Sequence, residues 1–356
     1  MTRPATTAGS ALRMPAEWEP HAATWLAWPH EPEDWPGKLA PIPWVYGEIV
    51  RHLAAGERVR ILATAPLEKQ ARALLKRVGV PLAQVDFVRA PTDRVWTRDS
   101  CPQILVGPRG RALCGFRFNG WAKYPNHTRD ARLPQVVAGF LDLPLALPER
   151  GEGKARQRIV LEGGAIDVNG RGTILTTEEC LLSRVQERNP GFTRRGYEEA
   201  FADHLGAPHT IWLGEGIAGD DTHGHVDDLA RFVDPRTIVL AVERDPRDEN
   251  FKRLRDNLKR LRKAKDQDGR ALRVVELPMP APVVLDGQRL PASYANFYIG
   301  NGAVLVPTFN DPHDRLALGI LAGLFPERSV VGIHAVDLVW GLGTLHCLSQ
   351  QEPAGA

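Results

Sequence analysis

A cysteine beside a histidine, in the run LHC at 345–347, is the first candidate for chemistry in this chain. Three other clusters of reactive side chains precede it: VWTRDS at 95–100, LEGGAID at 161–167 and THGHVDD at 222–228. An ionised thiol is a strong nucleophile, and an imidazole exchanges protons near neutral pH. The sequence therefore predicts a site in which Cys347 acts with a histidine and carboxylates from the other clusters.

The carboxylates indicate what such a site could bind. A guanidinium group is planar, cationic and rich in N–H donors, so it fits between carboxylates that each accept two parallel hydrogen bonds. Asp99 and Asp227 are the candidates for this role. The bound cation would favour the thiolate of Cys347, which would attack the central carbon. His225 would protonate the leaving ammonia and later activate water.

The spacing of His223, His225 and Asp227 also allows a metal site. In an extended strand these side chains would project from one face, and such a donor set suits zinc. A metal-dependent amidohydrolase would place this motif early in a (β/α) barrel, but only about 130 residues follow His225, too few for seven further units. A third interpretation is a strand with purely structural polar side chains. The thiol mechanism needs neither a metal nor an organic cofactor.

The elements that must position these clusters alternate between strand and helix. Short β-branched runs bounded by Gly, Pro or Asp predict strands at 59–64, 85–90, 103–108, 173–178, 237–243, 303–309 and 329–335. Helical patterns between some of them lie at 67–79, 193–206 and 314–326. This alternation predicts a mixed α/β protein, and the absence of a low-complexity linker favours a single compact unit.

The chemical clusters recur at a rough period along the chain. The separations between Asp99, Gly163, Val226, Phe297 and Cys347 run from 50 to 71 residues. Each interval suits one supersecondary unit of a few strands and a helix. The spacing indicates similar units arranged around a centre, as in a propeller.

Composition and charge argue against several classes of protein. A formal charge of +2 over 356 residues recommends neither nucleic acid nor an anionic membrane as a partner. The four cysteines lack C-x-x-C spacing, so we expect a reducing cytoplasm. The sequence shows no apolar signal segment and no window of about 18 apolar residues. Residues 1–13 are expected to form a flexible leader and 354–356 a tail.

The stretch at 249–273 is strongly basic. Phe251, Leu254, Leu258 and Leu261 repeat at a spacing of three to four and would face a core, which favours a solvated amphipathic helix. An RNA-binding surface is the alternative for this stretch.

Seven motifs occur in order along the chain: MPAEWEPHAATWLAWP (14–29), VWTRDSCP (95–102), FRFNGWAKY (116–124), LEGGAIDVNGRGTILTTEECLL (161–182), GDDTHGHVDDLARF (219–232), SYANFYIGNGAVLVPTFNDPHD (293–314) and LHCLSQQEP (345–353). Together they resemble the agmatine deiminase family, which includes bacterial peptidyl-arginine deiminases of the same type. The resemblance implies a pentein fold over 14–353, a five-bladed α/β propeller of ββαβ-type units with the site at its centre.

The resemblance also implies roles for matching residues. The H-C motif supplies the nucleophile Cys347, the G-H-x-D motif supplies His225 and Asp227, and the W-x-R-D motif supplies Asp99 with Trp96 lining the pocket. Asn296 would lie near the nucleophile, and Glu162 is a candidate third acid. These roles agree with those argued from charge.

Three positions depart from the family pattern. Cys101 stands where glycine is common, GLG at 341–343 stands for a run of three glycines, and His223 stands where arginine is common. These changes affect loops near the site. We expect Cys101, Cys114 and Cys180 to be buried core thiols and Arg98 to pair with an internal carboxylate.

The far end of the pocket decides the substrate. Agmatine ends in an amine, which calls for an acid or an aromatic side chain, and the candidates are Trp121, Glu215 and Asp220. A peptidyl-arginine or free arginine would need a cation for its carboxylate, for which Arg117 and Lys123 are candidates. The residues of the FRFNGWAKY motif resemble the agmatine branch of the family and favour agmatine as the substrate. The products would then be N-carbamoylputrescine and ammonia.

Two further alternatives remain open from the sequence. An amidinotransferase would share the thiol adduct but pass the amidino group to an amine. A non-catalytic module would bind RNA through the basic stretch at 249–273. The expected partner is a small guanidine compound, with neither nucleic acid nor membrane, and assembly into a homo-oligomer is compatible with the sequence.

Overall fold

The computed structural model describes residues 12–153 and 156–355. Its strands are β1 (His21–Ala27), β2 (Arg58–Ala63), β3 (Val85–Arg89), β4 (Gln103–Gly107), β5 (Gly110–Cys114), β6 (Leu145–Ala146), β7 (Glu149–Arg150), β8 (Gln157–Arg158), β9 (Asp167–Val168), β10 (Thr173–Thr177), β11 (His209–Leu213), β12 (Ala230–Asp234), β13 (Thr237–Val242), β14 (Arg273–Pro278), β15 (Val284–Leu285), β16 (Gln288–Arg289), β17 (Tyr298–Ile299), β18 (Ala303–Thr308), β19 (Ser329–His334) and β20 (Gln350–Pro353). Its α-helices are α1 (Ile42–Leu53), α2 (Ala65–Arg77), α3 (Thr97–Ser100), α4 (Leu133–Leu141), α5 (Glu178–Leu182), α6 (Arg194–Leu205), α7 (Asn250–Lys263) and α8 (His313–Leu324).

The strands and helices predicted from hydrophobic patterns are all present. Their ends differ from the predicted ones by at most two residues, except for the helix predicted over 249–273. The chain is therefore the mixed α/β protein that the alternation of patterns indicated.

One topology recurs in the sheets. In β4–β5–β6, β9–β10–β11, β12–β13–β14 and β17–β18–β19, an antiparallel pair is followed by a strand parallel to its second member. The helices α4, α6, α7 and α8 make the crossovers that parallel pairing requires. Each of these sheets is thus a ββαβ unit.

The fifth unit joins the two ends of the described chain. Strand β20 pairs antiparallel with β1, and α1 leads from β1 to the parallel strand β2, with β3 added at the edge. A small β7–β8 hairpin and a small β15–β16 hairpin lie outside the five units.

Only the first part of the basic stretch at 249–273 is helical, as α7. Leu254 and Leu261 are buried as predicted, but the helix ends at Lys263. The carboxylate of Asp266 then accepts the backbone N–H groups of Asp268 and Arg270, which closes a turn. The prediction of one helix through 273 was wrong because this side chain offers the backbone a competing turn.

The expected leader at 1–13 lies mostly outside the described residues. Its residues 1–11 are not described, whereas Arg13 exchanges backbone hydrogen bonds with Val106 and Met14 donates to Leu205. In the expected tail, Ala354 donates its N–H to Pro20, and residue 356 is not described. Among the described residues, no helix is long and apolar enough to cross a membrane.

Candidate active site

The predicted chemical clusters occupy the same place in each unit. Each lies in the connecting segment that directly precedes the first strand of a unit: Asp99, within the short helix α3, before β4, Glu162 before β9, His225 and Asp227 before β12, Asn296 before β17, and Cys347 before β20. The period in the sequence is therefore a repeated loop position, and the distances below show that these loops meet.

Cys347 lies in a buried turn just before β20. Its Sγ receives a hydrogen bond from Asn296 Nδ2 at 3.0 Å and lies 3.8 Å from Asp227 Oδ2. Burial raises the pKa of the thiol well above its ordinary value, and the carboxylates of Asp227, Asp228 and Asp99 add to the rise. Without a bound cation, Cys347 is therefore a neutral thiol.

Asn296 holds the turn that carries Cys347. Its Oδ1 accepts from Thr344 Oγ1 at 2.7 Å and from the backbone N–H of His346 at 3.0 Å. Its Nδ2 bonds Asp228 Oδ1 at 2.9 Å in addition to the thiol of Cys347. One amide thus holds both the turn and the sulfur.

Asp99 lies in the short buried helix α3. Its Oδ2 accepts from Trp121 Nε1 and its Oδ1 from the N–H of Gly164, both at 2.9 Å. Burial raises the pKa of Asp99 to about 6, and the charges of Asp227 and Glu162 contribute in the same direction. Below that pH the carboxyl becomes neutral.

His225 is surrounded by acids without being bonded to them. Its ring nitrogens lie 3.9 Å from Asp99 and Glu162 and 4.0 Å from Asp227. Nε2 is buried without a hydrogen-bond partner among the described residues. Burial alone would lower the pKa of His225, but Asp99, Cys180 and Asp227 raise it well above its ordinary value.

The two glycines of LEGG allow this crowding. A Cβ on Gly164 would lie 2.5 Å from His225 Nδ1 and 3.0 Å from Asp99 Oδ1. Any side chain here would push the histidine and the carboxylate apart. The adjacent Glu162 is fully buried, with Oε1 accepting from Arg188 Nε at 3.1 Å and Oε2 without a partner in the described part of the chain.

A chain of buried charges supports Asp227. Asp227 Oδ2 lies 2.7 Å from His346 Nδ1, and His346 Nε2 lies 2.8 Å from Glu17 Oε2. Glu17 also accepts from Arg98 at 3.0 Å and Arg231 at 2.8 Å. Burial opposes ionisation of Asp227, but the bond and charge of His346 lower its pKa. The prediction that Arg98 pairs with an internal carboxylate is confirmed.

Asp99 and Cys347 line one pocket with about 370 Å³ of empty space, which includes open solvent. Its lining includes Arg94, Trp96, Asp99, Trp121, Tyr124, Asp221, Thr222, Leu342 and Cys347. The predicted residues Trp96 and Trp121 line it as expected. Cys347, the predicted nucleophile, and Asp99, a predicted guanidinium acceptor, therefore share a single cavity.

Several predicted residues lie elsewhere. Asp220 is occupied by its own loop: Oδ2 accepts the N–H groups of Gly224 and His225, and Oδ1 binds Thr222. Glu215 lies in a separate surface cleft. Asp220 therefore stabilises the turn that carries His225. Neither Asp220 nor Glu215 lines the pocket that contains Cys347.

The segment that contains His223 is irregular. The predicted metal site required an extended strand, in which His223, His225 and Asp227 would project from one face. His223 has a φ of +64°, and its side chain lies 3.1 Å from Ser183 Oγ, on the surface-cleft side. His225 instead caps a short 3-10 turn and points inward. The three side chains do not share a face.

The sequence analysis missed several residues around the site. Asp228, Asp221 and Tyr124 each directly follow a residue that the sequence analysis named as a candidate. Residue type and spacing did not show which of two adjacent acids would face the site. Cys180 was expected to be an ordinary core thiol; it is buried as expected, as are Cys101 and Cys114, but it lies beside His225. His346 was visible in LHC, yet its carboxylate partners come from distant segments.

Two buried groups could bring metal-ligating atoms together. They are Glu162 with Cys180 and His225, and Asp227 with Asp228 and Cys347, each within 4.8 Å of one another. Arg188, bonded to Glu162, adds a positive charge that opposes a cation in the first group. The second group contains Cys347 itself, the thiol that lines the pocket, together with the two carboxylates beside it.

Comparisons with known proteins agree with this geometry. Residues 13–353 match the model of the Porphyromonas-type peptidyl-arginine deiminase family. An agmatine deiminase of Stutzerimonas stutzeri is 36% identical over 96% of this chain and 95% of that protein. Among solved structures, agmatine deiminase of Enterococcus faecalis is similar with a TM-score of 0.89 and 29% identity, covering 99% of this chain and 98% of that one. A Campylobacter jejuni agmatine deiminase with substrate bound gives 0.85 and 28%, covering 98% of both chains.

Proposed function

Since this chain belongs to the Porphyromonas-type peptidyl-arginine deiminase family, we propose that it is an agmatine deiminase. The reaction converts agmatine and water to N-carbamoylputrescine and ammonia. The observation that carries the proposal is that Cys347 and Asp99 line one pocket, with Asp227 3.8 Å from the thiol and His225 within 4.0 Å of both carboxylates. The curated and solved agmatine deiminases support the same assignment.

Asp99 and Asp227 are the proposed acceptors for the guanidinium. Asp227 Oδ1 is buried without a hydrogen-bond partner among the described residues. An unpartnered buried oxygen is costly unless a donor completes it, and the N–H groups of a guanidinium are such donors. Trp96 would cover the planar group, since it lines the pocket beside Asp99.

Cys347 is the proposed nucleophile. The same carboxylates that raise its pKa would be neutralised by the bound cation, so substrate binding favours the thiolate, and the thiol proton passes to solvent as the cation enters. The sulfur then bonds to the central carbon, and the tetrahedral adduct expels ammonia, whose proton comes from His225. The high pKa of His225 fits a group that carries a proton before substrate arrives.

Water completes the reaction. His225, now neutral, takes a proton from water as its oxygen bonds to the same carbon. The carbon–sulfur bond then breaks, and the thiolate leaves a ureido product. Glu162 Oε2 has no hydrogen-bond partner within residues 12–153 and 156–355 and lies 3.9 Å from His225 Nε2, so it would orient the imidazole during both proton transfers.

The outer pocket fits the amine of agmatine through Asp221 rather than Asp220. Asp221 lines the cavity, and its oxygens bind Tyr124 Oη at 2.7 Å and Lys123 Nζ. Lys123 is largely exposed and can be displaced by a substrate ammonium. Trp121 lines the wall between this end and Asp99.

We also propose that the five ββαβ units form the five-bladed propeller implied by the family, as one catalytic domain over 14–353. The repeated loop position and the pairing of β20 with β1 support this arrangement. A cytoplasmic location stays a prediction, supported by four unpaired cysteines. Assembly into a homo-oligomer also stays a prediction.

A screen for ureido product tests the function. Purified protein should release ammonia from agmatine in the absence of any acceptor amine, which separates it from an amidinotransferase. Cys347→Ala should lower turnover below detection, whereas Cys101→Ala, a matched change at another buried thiol, should retain most of it.

The outcome that overturns the proposal is equally specific. If Cys347→Ala stays active while a chelator abolishes ammonia release, the metal interpretation replaces the thiol one. A salt-sensitive gel shift lost on Lys/Arg→Glu changes in α7, without any deiminase activity, would favour the RNA-binding alternative.

A further inference from the structure

Helix α5 packs directly against the loop that carries His225. Thr177 caps this helix: its Oγ1 accepts the N–H of Cys180 at 3.1 Å and donates to the carbonyl of Gly224 at 2.5 Å. A Cβ on Gly224 would lie only 2.9 Å from Glu179 Cβ. Gly224 immediately precedes His225 in the chain. The first turn of α5 and the imidazole are therefore held in one fixed arrangement.

This arrangement brings the thiol of Cys180 beside the imidazole. The sulfur of Cys180, a ring nitrogen of His225 and a carboxylate oxygen of Glu162 all lie within 4.8 Å of one another. Both neighbours of the thiol have an unused polar atom, since His225 Nε2 and Glu162 Oε2 are buried without a hydrogen-bond partner among the described residues. Two unsatisfied atoms thus meet at one thiol.

The two ring nitrogens of His225 face different parts of the site. Nδ1 lies 3.9 Å from Asp99 Oδ1 and 4.0 Å from Asp227 Oδ1, the proposed acceptors of the guanidinium. Nε2 instead lies 3.9 Å from Glu162 Oε2. Nδ1 is therefore the nitrogen placed to exchange a proton with the substrate, and Nε2 must keep its own proton through both transfers.

Glu162 is poorly placed to hold that proton by itself. Its Oε1 accepts from Arg188 Nε at 3.1 Å, and Arg188 also donates to the carbonyls of Gln186 and Thr222. The gap of 3.9 Å that remains between Glu162 Oε2 and His225 Nε2 is too long for a hydrogen bond. A thiol beside both atoms can accept from the nitrogen and donate to the oxygen.

We propose that Cys180 is a positioning residue for deimination: its sulfur accepts the N–H of His225 Nε2, and its S–H donates to Glu162 Oε2. This inference rests on the proposed function and deepens it, because it gives a part in the reaction to a second thiol, which does not line the pocket. These bonds close when substrate binds, as hydrogen bonds of catalytic groups commonly tighten at that stage. The ring is then fixed with Nδ1 toward the guanidinium.

The rival interpretation is that Cys180 only fills the core. It is 1% exposed and belongs to the same apolar cluster as Cys114, which is also 1% exposed. The two interpretations differ in the replacement that each tolerates. A packing role is served by valine or alanine, which are apolar, whereas a bonding role is served by serine, which keeps one donor and an acceptor.

The test measures kcat and KM for agmatine in Cys180→Ser, Cys180→Ala and Cys180→Val. We expect the alanine and valine variants to lower kcat by at least about tenfold, because the proton-transfer group is no longer held in place. Their KM should stay within about twofold, because Asp99 and Asp227 are unchanged. Cys180→Ser should keep kcat within about threefold of wild type. If Cys180→Val does not fold, serine against alanine makes the same distinction.

The same three changes at Cys114 are the matched control. Cys114 shares the cluster and the burial of Cys180, but it is not among the groups that act on His225. All three Cys114 variants should keep kcat within about twofold, even where serine lowers the denaturant midpoint. Denaturant unfolding of every variant gives the folded fraction to which turnover is referred.

Two results with an active wild type overturn the inference. One is full kcat in Cys180→Ala and Cys180→Val with a loss confined to Cys180→Ser, which is the order expected for packing. The other is a loss of kcat that follows the denaturant midpoints of the Cys180 and Cys114 variants alike. A wild type that releases ammonia from no guanidine would instead overturn the deiminase function, and this inference with it.

Discussion

Two buried histidines near the nucleophile, His225 and His346, are held in opposite ways. Each ring nitrogen of His346 lies within 2.8 Å of a carboxylate oxygen, from Asp227 on one side and Glu17 on the other. The carboxylates around His225 stay 3.9 to 4.0 Å from its ring, and its Nε2 has no partner among the described residues.

The difference teaches that a histidine next to a nucleophile in sequence need not be the one that serves it. His346 precedes Cys347 directly, but its nitrogens are occupied, so it can position Asp227 and little else. His225 comes from another unit and keeps a nitrogen free for proton transfer. Three changes would break or sharpen this contrast.

His225→Gln should have the largest effect. We expect kcat for agmatine to fall by about 10³, within the range for a lost general acid and base, while the protein stays folded. Steady-state ammonia release and circular dichroism measure the two parts. His223→Gln, two residues away and outside the pocket, is the control and should stay within about threefold of wild type; a comparable loss there would refute the assignment.

His346→Gln should act mainly on stability. Glutamine cannot donate to both Asp227 and Glu17, so one of these buried carboxylates loses one hydrogen-bond donor, at a cost of about 3 kcal/mol in the free energy of unfolding. Denaturant unfolding measures this loss, and kcat should fall no more than about tenfold. A stable variant with 10³-fold lower kcat would reverse the roles given to the two histidines.

The pH dependence should give the smallest effect. Asp99 must be ionised to attract the guanidinium, and its pKa lies at about 6 in the folded protein. We therefore expect kcat/KM for agmatine to fall toward tenfold per pH unit below about 6. His346→Gln should keep this limb, because His346 is not among the groups that shift Asp99; a limb displaced by more than one unit would contradict this.

The same shift sets the sign of the pH effect on stability. A carboxyl with a raised pKa favours the folded state most below its ordinary pKa of about 3.9, and this contribution is lost as the pH rises through about 6. Asp99→Asn should therefore stabilise the fold at pH 8 relative to wild type and not at pH 4.

The sequence predicted the fold through local signals. Strands such as β13 and β18 are short apolar runs with several β-branched residues, and their ends were placed within one residue. The end of α7 was missed because Asp266 competes for the backbone, which hydrophobic spacing does not reveal. The residue types for a guanidine site were also visible, since Cys347, His225, Asp99 and Asp227 each stand in a distinctive motif.

Long-range partners could not be predicted in this way. Glu17 lies 329 residues from His346, and nothing near either residue marks the pair. Asp220 and Asp221 are adjacent acids, and only the backbone of the loop decides that one binds its own turn while the other faces the pocket. Arg94 was passed over because its neighbours Trp96 and Asp99 carried the recognisable motif.

The placement of one reactive loop on each of the five units has a consequence for how activity arises. No single unit, nor any four, can contain the whole set of groups, so a partly assembled chain is inert toward guanidines. Enzymatic turnover during refolding would therefore report the last assembly event rather than the first, and its appearance would mark the completed molecule.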